Sequence, residues 1–238
     1  MQTNKIIVIY GGSFNPILYS HLSLAQQVIN EYPEVESVIF APVNSNYDKT
    51  GLESNKHRYQ MVRLAIKGNP KFLVTDIEMK KEEPVYTYQV LEEMQKKYPD
   101  YQIWFLLGSD NLKLLNTWKK AETLVKQYHF FILERNQDQL EEILEQNPFL
   151  KENKQAFKKV ENRIPNAMSA TIVRKMINQG KDIRYLTREE VCKYIQKNKL
   201  YQEREMENDK KLRRRNRKNN KMDCYIYKTV QSRRGSHR

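Results

Sequence analysis

The chain has 238 residues, of which 39% are hydrophobic and 30% are charged, and its formal net charge is +13. This length fits one domain of about 200 residues or two small ones, and the apolar content is sufficient for a packed core. No apolar run approaches the roughly 20 residues of a membrane span, so we expect a globular protein without a membrane partner.

The positive charge is concentrated at the carboxyl end of the chain. Residues 201–238 contain 13 Lys and Arg against 5 Asp and Glu, which leaves a net charge of +5 for residues 1–200. Mild positive charge in the body suits a phosphate-rich substrate. We therefore expect a catalytic domain at residues 1–202 and a basic, disordered tail at residues 203–238. A nuclear-import role for this tail is the weaker alternative, and we expect no nucleic-acid partner.

The amino terminus and the cysteines predict the cellular compartment. The first residues lack the basic segment and apolar stretch of a secretion signal. Cys192 and Cys224 are the two cysteines, and they have no metal-ligand spacing, which suits a reducing environment. We therefore expect a cytoplasmic protein.

The first predicted elements form a strand, a turn and a helix. Apolar residues 6–10 predict a buried strand, and apolar positions at helical spacing between residues 22 and 29 predict a helix. Gly11 and Gly12 between them allow the backbone to approach a ligand, and the amides at a helix start attract phosphate. His21, in the first helical turn, can donate to the same anion. The string has neither the third glycine of a dinucleotide fingerprint nor the G-K-[ST] of a P-loop.

Strands and helices then alternate along the chain. Further strands are predicted at residues 38–43, 72–74, 103–107 and 130–133, with helices between them. The run at 103–107 is apolar on both faces, as a central parallel strand requires. This alternation predicts a doubly wound, Rossmann-like parallel sheet with helices on both faces. Ligands of such sheets bind beyond the carboxyl ends of the strands. Residues 136–157 predict a charged surface helix and a connection.

The carboxyl end of the body predicts a helical segment. Ser169 and Thr171 open one helix, for which Gly180 is the predicted stop. Thr87 is the predicted cap of an earlier helix. Thr187, with Glu three residues later, predicts a capping box before a last helix.

Residues 11–22 taken together indicate a protein family more specifically than the two glycines do alone. It resembles the G-G-[ST]-F-[DN]-P-x-[HT]-x-x-H element of the nicotinamide/nicotinate mononucleotide adenylyltransferases, a family of the nucleotidyltransferase superfamily. The matching positions are Gly11, Gly12, Ser13, Phe14, Asn15, Pro16 and His21. Leu18 departs from the pattern, because the family carries His or Thr there. Ser20 also differs from the Gly that is usual in bacterial members.

Three further stretches strengthen the resemblance. Residues 42–58 resemble the P-V-N-x-x-Y-x-K-x-G-L…H-R segment of eukaryotic members. Residues 86–119 resemble the Y-T…G-[SA]-D…W-K block. Residues 168–174 resemble I-S-S-T-x-[IV]-R, in which hydroxyls and amides at a helix start precede an arginine. The four motifs follow one another in the order of the family, and the resemblance as a whole spans residues 5–201.

The resemblance implies a role for each motif residue. It implies that the catalytic residues are His21, Lys49 and Arg174. The implied ATP-binding residues are Gly11, Gly12, Ser13, Phe14, His21, Gly108, Asp110, Ser169, Thr171 and Arg174. The implied mononucleotide-binding residues are Ser13, Asn15, Tyr47, Lys49, Tyr86, Thr87, Trp118 and Arg135. Trp118 would stack on the pyridine ring, since an aromatic face attracts positive charge.

The implied reaction joins ATP and nicotinamide or nicotinate mononucleotide to give a dinucleotide and pyrophosphate. Mg²⁺ would enter with ATP as the cofactor, and no residue is implied as a metal ligand. Three alternatives stay open: a transferase that acts on another phosphate such as phosphopantetheine, a nucleotide-binding protein impaired by Leu18, and a surface or nucleic-acid binder that acts through its tail. The preferred mononucleotide and a homo-oligomeric state are also left open.

Overall fold

A computed structural model describes residues 5–45, 51–81, 83–135, 137–161 and 168–202. Tyr47, Lys49 and the basic tail at 203–238 lie outside these residues, so the predicted domain boundary stays a prediction. Within the described part of the chain, the strands are β1 (Ile6–Gly12), β2 (Val35–Pro42), β3 (Phe72–Val74), β4 (Gln102–Gly108), β5 (His129–Leu133) and β6 (Phe157–Lys159). They form one parallel sheet in the order β3-β2-β1-β4-β5-β6.

Helices connect these strands and follow the last one. The α-helices of the described residues are α1 (Tyr19–Glu31), α2 (Asn55–Ile66), α3 (Thr87–Lys97), α4 (Ser109–Leu112), α5 (Ala121–Gln127), α6 (Leu140–Gln146), α7 (Pro148–Glu152), α8 (Ala170–Asn178) and α9 (Glu189–Lys197). Of these helices, α8 and α9 form the predicted carboxyl-terminal helical segment.

The core has two halves, one on each face of the sheet. Successive side chains of a strand point to opposite faces. Ile6, Val8 and Tyr10 of β1 accordingly pack in one cluster with α1, α2, α8 and α9. Ile7 and Ile9 pack in the other with α3, α5 and α6. The predicted doubly wound, Rossmann-like fold with helices on both faces is therefore confirmed.

One strand was not predicted from the sequence. Residues 136–157 were assigned to a surface helix and a connection, whereas the structure forms α6 and α7 there and begins β6 at Phe157. Two of the three residues of β6 are lysines, so no apolar run marks this strand in the sequence, and its pairing with β5 supplies the evidence for it.

Two predicted helix caps were wrong and one helix stop was confirmed. Thr87 is the first residue of α3, and Tyr86 before it is the cap. The capping box at Thr187 does not form, because the Thr187 hydroxyl donates to the carbonyl oxygen of Ile17 at 2.7 Å. Gly180 does end α8, in the left-handed conformation with φ of 66°.

Candidate active site

The strand order reverses between β1 and β4, which are hydrogen-bonded neighbours although β2 and β3 lie between them in the chain. β1 ends at Gly12 and β4 ends at Gly108, so the loops that follow leave the same edge of the sheet. In open parallel sheets, ligands bind in the crevice at such a switch point. The candidate active site is therefore the space beyond Gly12 and Gly108.

The β1 turn, residues 13–18, is built on a buried aromatic ring. Phe14 has a φ of 44°, a left-handed conformation that is uncommon outside glycine. Its ring is buried and packs edge-on against Tyr10 and Phe40, with 5.5 Å between the ring centroids in each pair. A Cβ atom on Gly12 would lie 2.8 Å from this ring, and one on Gly11 would lie 2.8 Å from the ring of Phe105. Packing beneath the turn therefore requires both glycines.

His21 faces the β1 turn from the first turn of α1. Its Nδ1 accepts a hydrogen bond of 2.9 Å from the backbone N–H of Leu18, so the neutral ring carries its proton on Nε2. Burial, with a smaller contribution from the positive charge of Arg135, lowers the pKa of His21 to about 4. The ring is therefore a neutral donor through Nε2–H at physiological pH.

Leu18 contributes its backbone to this arrangement. Its side chain has no exposed area and packs in the core cluster around the β1 turn. A side chain that donates to a phosphate would have to face the open edge of the sheet. The buried side chain of Leu18 does not face that edge, and whether the departure from the family pattern at position 18 impairs turnover stays a prediction.

Asn15 joins the β1 turn to the segment before α2. Its side chain is buried, and its Nδ2 donates to the carbonyl oxygen of Gly51 at 2.7 Å. Its Oδ1 accepts from the backbone N–H of Glu53 at 3.1 Å. The neighbouring Ser13 is half-buried. The mononucleotide contacts implied for Asn15 and Ser13 stay predictions.

The start of α8 is attached to the same turn. Ser169 is the residue that precedes α8, and Thr171 and Arg174 lie within its first two turns. Arg174 donates through Nη1 to the carbonyl oxygen of Asn15 at 2.8 Å and through Nη2 to Oγ1 of Thr171 at 3.2 Å. The structure therefore brings the predicted phosphate-binding motif of α8 onto the β1 turn.

Arg135 comes two residues after β5 in the chain and contacts the residues that follow β4. Its Nη1 is 3.4 Å from Oδ1 of Asp110, and its backbone N–H donates to Oγ of Ser109 at 3.0 Å. A Cβ atom on Gly108 would lie 3.0 Å from Cζ of Arg135 and would collide with the carboxylate of Asp110. Arg135, assigned by resemblance to the mononucleotide, therefore sits among the predicted ATP-binding residues.

Thr87 and Trp118 are both buried and both carry a polar atom without a hydrogen-bond partner. These atoms are Oγ1 of Thr87 and Nε1 of Trp118, for which no partner exists in the described part of the chain. The Trp118 ring packs edge-on against Phe105 at 6.4 Å. A buried polar atom without a partner costs about 1–3 kcal/mol, so such atoms call for a ligand or a water molecule.

Two cation–π contacts join the segments that carry Thr87 and Trp118. Nζ of Lys119 lies 4.5 Å from the ring centroid of Tyr86, and Nζ of Lys120 lies 4.1 Å from that of Tyr88. The two tyrosine rings stack on each other, with 6.1 Å between their centroids. The two halves of the Y-T…W-K block therefore meet in the folded chain.

Tyr47 and Lys49 lie outside the described residues, but the residues that flank their segment are well anchored. The backbone N–H of Ser45 donates to Oδ1 of Asn55 at 2.7 Å, and Gly51 is bound to Asn15. The roles implied for Tyr47 and Lys49 stay predictions.

Comparison with known proteins decides the family. Residues 9–176 match the model of the cytidylyltransferase-like family. A protein of Lachnoclostridium phytofermentans named "Probable nicotinate-nucleotide adenylyltransferase" is 34% identical over 197 residues, which cover 81% of this chain and 97% of that protein. One of Clostridium acetobutylicum with the same name is 34% identical over 201 residues and covers 81% and 97%. The chain belongs to the nicotinate-nucleotide adenylyltransferases.

A solved structure of the same family has the same fold. Plasmodium falciparum nicotinic acid mononucleotide adenylyltransferase complexed with NaAD is 27% identical to this adenylyltransferase, with a TM-score of 0.67 over 83% of this chain and 97% of that one. The family resemblance predicted from the sequence is therefore confirmed.

Sequence reasoning missed two buried residues of this adenylyltransferase site. Arg58 has no exposed area, and its guanidinium donates to the carbonyl oxygens of Ser13, Val43 and Glu53. Its place in the H-R motif was noted, although no role was assigned to it. The hydroxyl of Tyr201 donates to Oδ1 of Asn15, and no motif pointed to this residue.

Proposed function

We propose that this adenylyltransferase transfers the adenylyl group of ATP to nicotinate mononucleotide, giving deamido-NAD and pyrophosphate, with nicotinamide mononucleotide as the second candidate acceptor. The observation that carries the proposal is the convergence of the β1 turn, the α8 motif and the Gly108–Asp110 segment at the switch point. The names of the relatives and the NaAD complex of the Plasmodium falciparum protein support nicotinate as the first acceptor.

In the proposed reaction, a 5′-phosphate oxygen of the mononucleotide attacks the α-phosphorus of ATP. The new phosphorus–oxygen bond forms as the bond to the β-phosphate oxygen breaks, and pyrophosphate leaves. No protein nucleophile is required, so catalysis consists of positioning and of donors aimed at the developing charge. His21 would donate Nε2–H to the α-phosphate, while Arg174 and the start of α8 would bind the leaving phosphates.

A divalent metal fits this site as a companion of ATP. Among the described residues, no group of three or more His, Cys, Asp or Glu side chains could hold a metal ion. Mg²⁺ is usually bound through substrate phosphates and water with few carboxylates. A site with few carboxylates therefore suits a Mg²⁺ ion that is held mainly by ATP. The bound ion would neutralise phosphate charge.

A protein that binds nucleotides without turnover is the second candidate, because Leu18 places no polar side chain at the β1 turn. His21, Arg174 and the backbone amides of the turn supply donors in spite of this. We therefore favour the active enzyme.

The test is production of dinucleotide and pyrophosphate by the full chain with ATP and each mononucleotide in turn. His21→Ala should lower kcat by about 10²-fold, the typical loss for one preorganised donor. His129→Ala is the matched control, because His129 is the first residue of β5 and therefore lies at the edge of the sheet opposite the site, where its tilted ring packs against Trp104 with 4.8 Å between the ring centroids. A wild-type protein that binds ATP and forms no dinucleotide would instead establish a nucleotide-binding protein without turnover.

A further inference from the structure

Tyr201 reaches the active site from the far end of the described chain. Its side chain is buried, and its hydroxyl donates to Oδ1 of Asn15 at 2.9 Å, across 186 positions of sequence. Burial raises the pKa of Tyr201 well above its usual value near 10. The phenol therefore stays protonated and keeps its donor at any working pH.

The backbone after α9 is shaped to bring Tyr201 inward. The N–H of Leu200 donates to the carbonyl oxygen of Ile195 at 3.1 Å, and that of Lys199 to Gln196 at 3.2 Å, as in a Schellman ending. Lys199 and Tyr201 have φ values of 51° and 64°. Left-handed residues other than glycine each cost roughly 1–2 kcal/mol, so packing of the Tyr201 side chain must offset this strain.

Asn15 is the point on which Tyr201 acts. Oδ1 of Asn15 accepts from both the Tyr201 hydroxyl and the backbone N–H of Glu53, while its Nδ2 donates to Gly51. Tyr201 also donates its backbone N–H to Oε1 of Glu53 at 3.3 Å. With Arg174 on the carbonyl oxygen of Asn15, four chain segments meet at this one residue.

We propose that Tyr201 is a positioning residue for adenylyl transfer, which holds the amide of Asn15 and thereby the β1 turn in the geometry that binds phosphate. The inference rests on the proposed function. Tyr201 acts through Asn15 and does not contact substrate, because its hydroxyl is buried between Oδ1 of Asn15 and Sδ of Met61, at 2.9 Å and 3.9 Å. A displacement of about 1 Å at a reacting group can lower the rate by up to 10²-fold, so loss of this contact should reach turnover.

The experiment compares Tyr201→Phe with Tyr32→Phe in the full chain. Tyr32 is also buried, and its hydroxyl donates to the carbonyl oxygen of Lys159 at 2.7 Å, so the control also removes one hydrogen bond of a buried tyrosine. We expect Tyr201→Phe to lower kcat about 10-fold with less than about 3-fold change in either KM, and Tyr32→Phe to keep wild-type kcat. Equal kcat in all three proteins, or equal losses in both variants, would overturn the proposal.

A second readout separates this proposal from the proposed function. The side-chain amide resonance of Asn15 in ¹⁵N-labelled protein should shift in Tyr201→Phe and stay in place in Tyr32→Phe. A wild-type protein without dinucleotide formation would refute the proposed function, and this resonance would then still decide whether Tyr201 holds the turn. An unshifted resonance in Tyr201→Phe would refute the positioning contact whatever the kinetics.

Discussion

At the scale of single residues, His21 and Leu18 show how one backbone contact prepares a donor. The backbone N–H of Leu18 donates to Nδ1 of His21, so the neutral ring carries its proton on Nε2. A neutral imidazole can therefore donate to a phosphate without a change of charge. Both residues lend themselves to direct tests.

We predict that His21 makes the protein sensitive to acid. Its pKa is about 4 in the folded protein and near 6.5 when unfolded, so the unfolded state binds more protons between these values. Stability should therefore fall as the pH drops from about 6.5 to about 4. The residue as a whole is half-buried, so water screens part of this effect and we expect a loss nearer to 1 than to 3 kcal/mol.

Urea unfolding at several pH values in this window measures this loss. His21→Gln cannot titrate there and should show a smaller acid-dependent loss than the wild type. The same loss in both proteins would mean that other groups cause it.

We predict that Leu18→Thr destabilises the protein and does not raise turnover. The substitution shortens a side chain with no exposed area and buries a hydroxyl in an apolar cluster. A loss of about 2–4 kcal/mol is expected from these two effects. Leu22→Thr, at a half-buried position in the first turn of α1, is the control and should lose less stability. Higher turnover in Leu18→Thr at an unchanged melting temperature would place residue 18 at the phosphates.

At the scale of the elements, Arg58 joins β1, β2 and α2 through a single buried side chain. Its donors reach the carbonyl oxygens of Ser13, Val43 and Glu53, and its Nη2 also donates to Oδ1 of Asn55 at 2.8 Å. The ends of the two strands and the start of the helix are thus held at fixed positions beside the site. This role depends on the geometry of the guanidinium fork.

We predict that Arg58→Met lowers the free energy of unfolding by about 3–5 kcal/mol, because it leaves buried carbonyl oxygens without donors. Arg63→Met is the control, since Arg63 is exposed on the same helix and should lose under about 0.5 kcal/mol. Chemical denaturation of both variants measures the difference. Comparable losses would mean that the buried hydrogen bonds of Arg58 contribute little.

At the scale of the whole molecule, the sheet, its two helical layers and the segment through Tyr201 form the described body. None of the helices in this body is long and apolar enough to cross a membrane. The cytoplasmic location and the absence of a nucleic-acid partner stay predictions.

We predict that the body works without the basic tail. A chain that ends after Gln202 should keep kcat within about twofold and its melting temperature within about 2 °C, because Tyr201 and its contacts remain. A chain that ends after Leu200 lacks Tyr201 and should lose both activity and stability. Steady-state kinetics and thermal unfolding compare the two. A large loss in the longer chain would show that residues 203–238 support the body.

Local sequence patterns were sufficient to predict the fold and the family. Apolar runs separated by helical patterns predicted every strand of the described sheet except β6, and Gly180 correctly marked the end of α8. Both signals are local: side-chain periodicity and backbone conformation depend on neighbours in sequence. The four motifs named the family for the same reason, since each consists of short strings of neighbouring residues.

The division between side chains that face the site and side chains that support it became evident only in three dimensions. Leu18 is buried, Arg135 pairs with Asp110, and Tyr201 binds Asn15 from 186 positions away. Such contacts depend on how separate elements pack around the switch point, and no local pattern encodes a hydrogen bond between distant segments. A buried tyrosine near the end of a helix resembles ordinary core packing in the sequence, and its role becomes visible only through the partner of its hydroxyl.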